Sequence, residues 1–434
     1  MTKECKGIIS NLNYIAIPLI LSSISGIIMG IIDQAFVGRI SIYAYAGVGL
    51  VTSSINSLVG VLGAMSIAFN ILGSQCIGKD NREELNDKFT IYIILSVFIG
   101  AVLSILINIF CKTILQTLFG LNGQVLKEAI NFIRIYSISI LLNLIIFIYS
   151  TVFKIFRKTE NILMVTIIAN IINVILDYSL IFGKFGCPKM GSIGAALGTI
   201  IALTLNLAIY VFISRDLVKI KFDISNLAIK IKEILNFSIS FIGQEFMEDI
   251  VFVIGINAII SRMGVLELST YTLILQIINV VLMPMFGYSM ANLSLVSESY
   301  AREDMKNSLN ISKYSSINLV LLYFIMFFAI FVFKNHITSI ITSDKELIES
   351  AKKYIPVGIL IQLPNYLMSV YKSSIQAINY QTWALKVTFI TNILTLIIIL
   401  FVGKSLHSVY MFVGLSYVLN YILFYLKYIK EVKV

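Results

Sequence analysis

The chain is short of charge: only 13% of its 434 residues are Asp, Glu, Lys or Arg, against about 25% in ordinary soluble domains. It is equally short of histidine (two residues) and tryptophan (one). No GxxxxGK[ST] loop is present, which excludes the usual ATP-driven pump. No HExxH pair and no Cys/His metal set occurs, and His336 and His407 stand far apart in the sequence. No span carries the regularly spaced arginines of a voltage sensor. The four cysteines, Cys5, Cys76, Cys111 and Cys187, form no CxxC pair. A disulfide between Cys111 and Cys187 is left open.

What is abundant is apolar sequence. The chain is 58% hydrophobic, with a mean hydropathy of +0.92, so we expect an all-α polytopic membrane protein. Twelve apolar runs can be counted: Leu12–Ile32, Ala44–Leu72, Phe89–Phe110, Ile135–Phe153, Ile162–Phe182 and Ile193–Ile213, then Ile234–Ile260, Leu268–Val296, Tyr314–Phe333, Tyr354–Tyr371, Val387–Gly403 and Leu406–Leu426. The first is too long for the core of a signal peptide and reads as a span.

The net charge of +10 does not suggest nucleic-acid binding, because the basic residues are scattered through short loops. With both termini inside, 21 of the 33 Lys and Arg fall on cytoplasmic segments, Lys372 counted among them. That bias predicts a plasma-membrane protein with cytoplasmic termini.

A basic linker divides the chain after six runs. The expected organisation is an N-terminal lobe over 1–214, a linker over 215–233 and a C-terminal lobe over 234–434. Arg215–Lys232 alternates basic and apolar residues, as a segment lying on an anionic leaflet would, or as an ordinary solvated loop. The halves look like copies: Ile32, Gly63 and Asp80 meet Ile256, Gly287 and Asp304 at one offset, and VTIIANI (165–171) meets VTFITNI (387–393) at nearly the same one. Six runs per half is even, which predicts lobes related by a pseudo-twofold axis along the membrane normal.

Polar residues inside apolar runs are the candidate functional residues. Asn170, Asn173 and Asp177 share one helical face of the fifth run. Asp33 at the end of the first run and Thr199 on the sixth fall at similar depth. These groups offer oxygen ligands to a hard cation such as Na⁺, and two neighbouring carboxylates could equally share a proton. The plainer alternative makes Asp33 an interfacial residue and Asp177 a helix cap. The second-half counterparts of Asp33, Asn173 and Asp177 are Asn257, Thr395 and Ile399, so the acid pair belongs to the first lobe alone, whereas Asn170 recurs as Asn392.

In the seventh run Gln244 and Glu248 share a face, with Glu245 nearby and Asp249 pointing elsewhere. Glu248 could attract a cationic substrate; a helix starting later would instead leave Glu245 at the interface. Pro18 is a candidate hinge, and Pro284, Pro356 and Pro364 should interrupt the eighth and tenth runs. Met283 and Met290 could line an adaptable apolar cavity, or simply pack.

Several stretches together resemble the multidrug and toxic compound extrusion (MATE) family: Pro18 through IIDQAFVG, GSQCIGKDN (73–81), Asn173 with Asp177, the GxxGAAxxT pattern ending at Thr199, and Met283–Pro284. The resemblance covers essentially the whole chain. It implies a V-shaped pair of lobes with alternating access, and secondary antiport in which Na⁺ or H⁺ influx drives export of lipophilic, often cationic compounds. It implies a cation site of Asp33, Asn173, Asp177 and Thr199, no cofactor beyond the coupling ion, and no enzymatic activity. The expected partners are small substrates and membrane lipid, with the chain acting as a monomer. Two departures stand out. Ser240 replaces a proline usual near the start of the seventh span, and the tenth span offers Gln362 and Lys372 where some members carry an acid. The rival readings are a flippase for lipid-linked or polysaccharide precursors and a receptor or membrane-embedded enzyme.

Overall fold

The computed structural model describes residues 3–221, 226–342 and 344–433. These residues are helical almost throughout, and no strand occurs among them. Before the linker run α1 (Lys3–Gly38), α2 (Ile42–Gly63), α3 (Met65–Gly78), α4 (Arg82–Thr113), α5 (Gly123–Tyr136), α6 (Ile138–Ile155), α7 (Glu160–Phe182) and α8 (Ser192–Ser214). After it come α9 (Leu227–Glu245), α10 (Val253–Ser261), α11 (Val265–Val281), α12 (Met283–Ala301), α13 (Met305–Ile341) and α14 (Lys345–Leu360). The last three are α15 (Gln362–Ala377), α16 (Gln381–Val402) and α17 (Leu406–Lys433).

Among the described residues, nine helices are long and apolar enough to cross a bilayer, and α11 with α12 makes a tenth, bent by 43°. The bend falls at Leu282, two residues before Pro284. Proline lacks the N–H that would continue the helix, and its ring crowds the preceding turn. The seventh and tenth of the twelve expected runs stand outside that count. The seventh joins α9 to α10 through a π-helical turn at Phe246–Phe252 that contains Glu248 and Asp249. The tenth is broken at Ile361, between Pro356 inside α14 and Pro364 at the start of α15.

Local signals explain several boundaries. Asn81, Asp304 and Asp344 each accept a hydrogen bond from the backbone N–H three residues on, capping α4, α13 and α14. Gly183, with φ of 69°, ends α7 in the left-handed conformation that glycine takes without strain. The apolar run starts at Ile234, whereas α9 begins earlier, at Leu227, so Glu245 lies far from the start of the helix.

The chain divides into two compact units, one of Leu21–Gly73 and Asn81–Ile242 and one of Met1–Ile20, Ser74–Asp80 and Gly243–Val434. The first unit packs Val48, Val51 and Ile55 of α2 with Phe132, Ile133 and Tyr136 of α5 and with Ala195 and Ala196 of α8. The second is held by a polar seam in its interior. Asn292 donates to Ser373 (2.9 Å) and Ser374 (2.8 Å), Ser374 meets Ser312 (2.8 Å), and Ser312 donates to the Tyr428 hydroxyl (3.1 Å). Small hydroxyl residues let membrane helices approach closely and satisfy their own polar groups.

Pro18 lies within the continuous helix α1, close to the Ile20/Leu21 division between the two units. Residues 222–225 of the predicted amphipathic linker lie outside the described residues. Its preceding part is fastened to the start of α4: the backbone N–H of Lys219 donates to Asn86 (2.9 Å), that of Lys221 to Thr90 (3.0 Å), and the Lys221 ammonium pairs with Glu83 (2.9 Å). None of the four cysteines is joined in a disulfide, Cys111 and Cys187 included. Lys372, read as a cytoplasmic loop residue, lies inside α15, because that helix continues to Ala377.

Candidate functional site

In the first unit, α1 and α7 run side by side in parallel. Ser22 donates to Thr166 (2.9 Å), and Asn170 donates to the carbonyl (3.2 Å) and hydroxyl (2.8 Å) of Ser25. These pairs are 144 and 145 residues apart in sequence, and Asp33 and Asp177 keep the same interval. A constant interval between contacting residues is the mark of parallel helices. It brings the Asp33 and Asp177 carboxyls face to face, within hydrogen-bonding reach.

Asp177 is 1% exposed and accepts a hydrogen bond at 3.0 Å from the Asn173 amide, one turn earlier on α7. It stands inside the helix and is not an end cap. Its space comes from α8. An added Cβ on Gly198 would lie 2.0 Å from Asp177 Oδ1, and one on Gly194 would lie 2.6 Å from the Leu180 backbone. Gly194 and Gly198 form a GxxxG face, which permits close helix approach. The sequence reading used this stretch only to reach Thr199 and missed Gly198; the four-residue glycine spacing was the available signal.

Thr199 itself does not join the carboxylates by any hydrogen bond among the described residues. Its hydroxyl donates to Ala195 O (3.0 Å), one turn back on its own helix. Asp33 is half-buried where Asp177 is buried, yet its Oδ1 is shielded from solvent and receives no hydrogen bond from any donor. A buried carboxylate oxygen left unpaired is costly, so the pair fits a proton or a small cation. Tyr136 on α5 lies close enough to feel the Asp33 charge, and its hydroxyl donates to Asn56 on α2 (3.4 Å). Sequence reasoning named neither residue, because single polar residues on separate helices have no shared spacing.

The second unit gathers a separate set. Glu248 takes both carboxylate oxygens to Lys372 Nζ, at 2.8 and 3.1 Å. Gln244 donates to Glu248 (3.0 Å) and Thr388 (3.1 Å) and accepts from Gln376 (2.8 Å). The predicted i, i+4 pairing of Gln244 with Glu248 is therefore present, but Glu248 is held by a lysine on another helix. Met283 is buried at the α11–α12 bend, Met290 is half-buried two turns further on, and neither takes part in this network. The counterparts of Asn173 and Asp177 also lie in this unit. Thr395 is buried, its hydroxyl turned back to Thr391 O (2.7 Å), and Ile399 is fully buried.

The MatE family model matches the chain twice, over residues 18–179 and 241–402. The two matches are of equal length and 223 residues apart, which is the internal repeat read from the sequence. The chain is 26% identical to a probable multidrug resistance protein NorM of Thermotoga maritima over 365 residues, 82% of this chain and 77% of that protein. Its fold is that of the crystal structure of a Vibrio cholerae MATE transporter VcmN mutant, with a TM-score of 0.91 at 14% identity over 100% of this chain and 98% of that one. An outward-facing multidrug resistance MATE family transporter of the MOP superfamily matches with a TM-score of 0.88 at 15% identity, again over 100% and 98% of the two chains. With the family model covering most of both halves, this chain belongs to the MatE family of multi-pass, non-enzymatic membrane transporters.

Proposed function

We propose that this protein is a secondary antiporter that exports lipophilic, often cationic compounds in exchange for Na⁺ or H⁺ by alternating access. The reading takes its substrate class from relatives described as multidrug resistance proteins. It takes its coupling site from one observation: the half-buried Asp33 and the buried Asp177 carboxyls face each other on parallel helices, and Asp33 Oδ1 receives no hydrogen bond from any donor. Two such groups cannot both stay ionised without a positive charge or a proton between them. A cation arriving at Asp33, Asn173 and Asp177 removes that conflict and favours whichever conformation holds the pair closed. Thr199 would join this site only after its hydroxyl leaves Ala195.

One net positive charge moved through 100 mV supplies about 2.3 kcal/mol, enough for a tens-fold gradient of an uncharged compound. One-for-one exchange with a cationic compound moves no net charge and draws on the ion's concentration gradient alone. Reciprocity then requires the cation and the substrate to change each other's affinity equally. The flippase reading expects basic residues facing the transport path; Lys372 is basic and lies within α15, but Glu248 holds it.

The test is efflux of a fluorescent organic cation from energised vesicles. Asp33→Asn and Asp177→Asn should each abolish cation-driven transport. Removing Na⁺ with the proton gradient intact, and the converse, identifies the coupling ion. Unchanged driven efflux in both variants would exclude this site.

A further inference from the structure

The Glu248–Lys372 pair is built differently from the aspartates of the first unit. Lys372 is only 17% exposed and Glu248 25%. One ammonium chelates both carboxylate oxygens, which is what a bound monovalent cation would do. Gln244 completes the shell of Glu248, and Thr388 and Gln376 fix Gln244 in turn. The charged groups facing this point are Glu245, Glu248 and Asp249 from the seventh helical rod and Lys372 from α15, with the Tyr417 hydroxyl approaching from α17. Glu248 and Asp249 sit in the π-helical turn, a local irregularity that α-helices often keep at functional positions.

A carboxylate in this setting has three ways to be neutralised: a proton, a dissociable cation, or a cation belonging to the chain. The third is never diluted away, because attachment to α15 gives it a high effective concentration. We propose that Lys372 is a tethered counter-cation that takes the place of a dissociable ion at Glu248. Unit Gly243–Val434 then keeps its own positive charge throughout, and dependence on external cation is confined to the aspartate pair. That last clause rests on the antiport reading, whereas the tethered cation itself is testable by stability alone.

The test uses full-length protein in detergent, with Asp33→Asn/Asp177→Asn as the background so that the first unit is silent. Melting is followed while Na⁺ replaces choline at constant ionic strength, and repeated between pH 8 and pH 5. The background alone should show no Na⁺ response. Adding Lys372→Met should lower the midpoint and create a new response, a rise of about 3 °C or more on saturation with Na⁺ or on acidification. Adding Glu248→Gln to that variant should remove the response and recover stability. A Lys372→Met protein as insensitive to Na⁺ and to pH as its background overturns the proposal. So does a Na⁺ response already present in the background and lost with Glu248→Gln. If Lys372→Met does not fold, folding of the Lys372→Met/Glu248→Gln pair supports the proposal, since only the unmet charge differs. Failure of that pair as well overturns it, because the lysine is then needed for packing.

Discussion

At Asp177 one side chain depends on three others for its setting. Asn173 donates to it, Asp33 faces it, and Gly198 stands where any side chain would occupy its oxygen. Gly198→Ala should therefore displace the carboxylate and reduce cation-driven efflux at least tenfold, while Ser or Val should be worse still. Vesicle efflux measured beside a melting curve separates loss of the site from loss of the fold. Asn170 and Asn173 should divide by role, although both lie on the same face of α7. Asn170→Ala loses two hydrogen bonds to Ser25, each worth about 1 kcal/mol, and should lower the melting temperature while transport remains coupled. Asn173→Ala should instead weaken coupling, because it strips the amide from Asp177. If Asn170→Ala uncouples transport with the fold intact, that division is wrong.

Among whole elements, the irregular ones are those holding charge. The π-helical turn Phe246–Phe252 adds a residue to the helix and sets the register in which Glu248 meets Lys372. Deleting one residue there would restore α geometry and re-aim the side chains within the turn, Glu248 and Asp249 included, while the flanking parts of the rod keep their phase. The expected result is loss of the pair with Lys372 and a lower melting temperature, partly recovered when Glu248→Gln is combined with Lys372→Met. The α11–α12 bend has a simpler origin in Pro284. Val281 before the bend and Met283 and Met285 after it are buried, so packing holds the bend on both sides.

At the level of the molecule, folding and ion binding are linked. A cation that binds the aspartate pair only in the folded protein stabilises it by about 2.7 kcal/mol at a hundredfold excess over its dissociation constant. Wild-type protein should therefore melt later in the coupling ion, and Asp177→Asn should lose that gain. Equal melting shifts in wild type and Asp177→Asn would place the responsive site elsewhere. The outer surface is consistent with lipid as solvent: Phe98, Ile109, Ile175, Phe212, Ile325 and Phe401 are all exposed.

The sequence by itself determined the class of molecule, the repeat and the candidate polar residues. Runs of apolar residues without charge have no stable place but a bilayer, and an offset kept across several runs survives any loop. The i, i+4 pairs Asn173–Asp177 and Gln244–Glu248 were also legible, because helical periodicity alone sets them. Contacts between helices were decided only by the tertiary structure. Nothing in the linear order says that Asp33 meets Asp177 across 144 residues, that Gly198 clears its space, or that Thr199 turns back to Ala195. Lys372 shows the limit most clearly. Hydropathy places a lysine in a loop because an unpaired ammonium is expelled from apolar surroundings, and only the position of Glu248 on a neighbouring helix makes its burial stable.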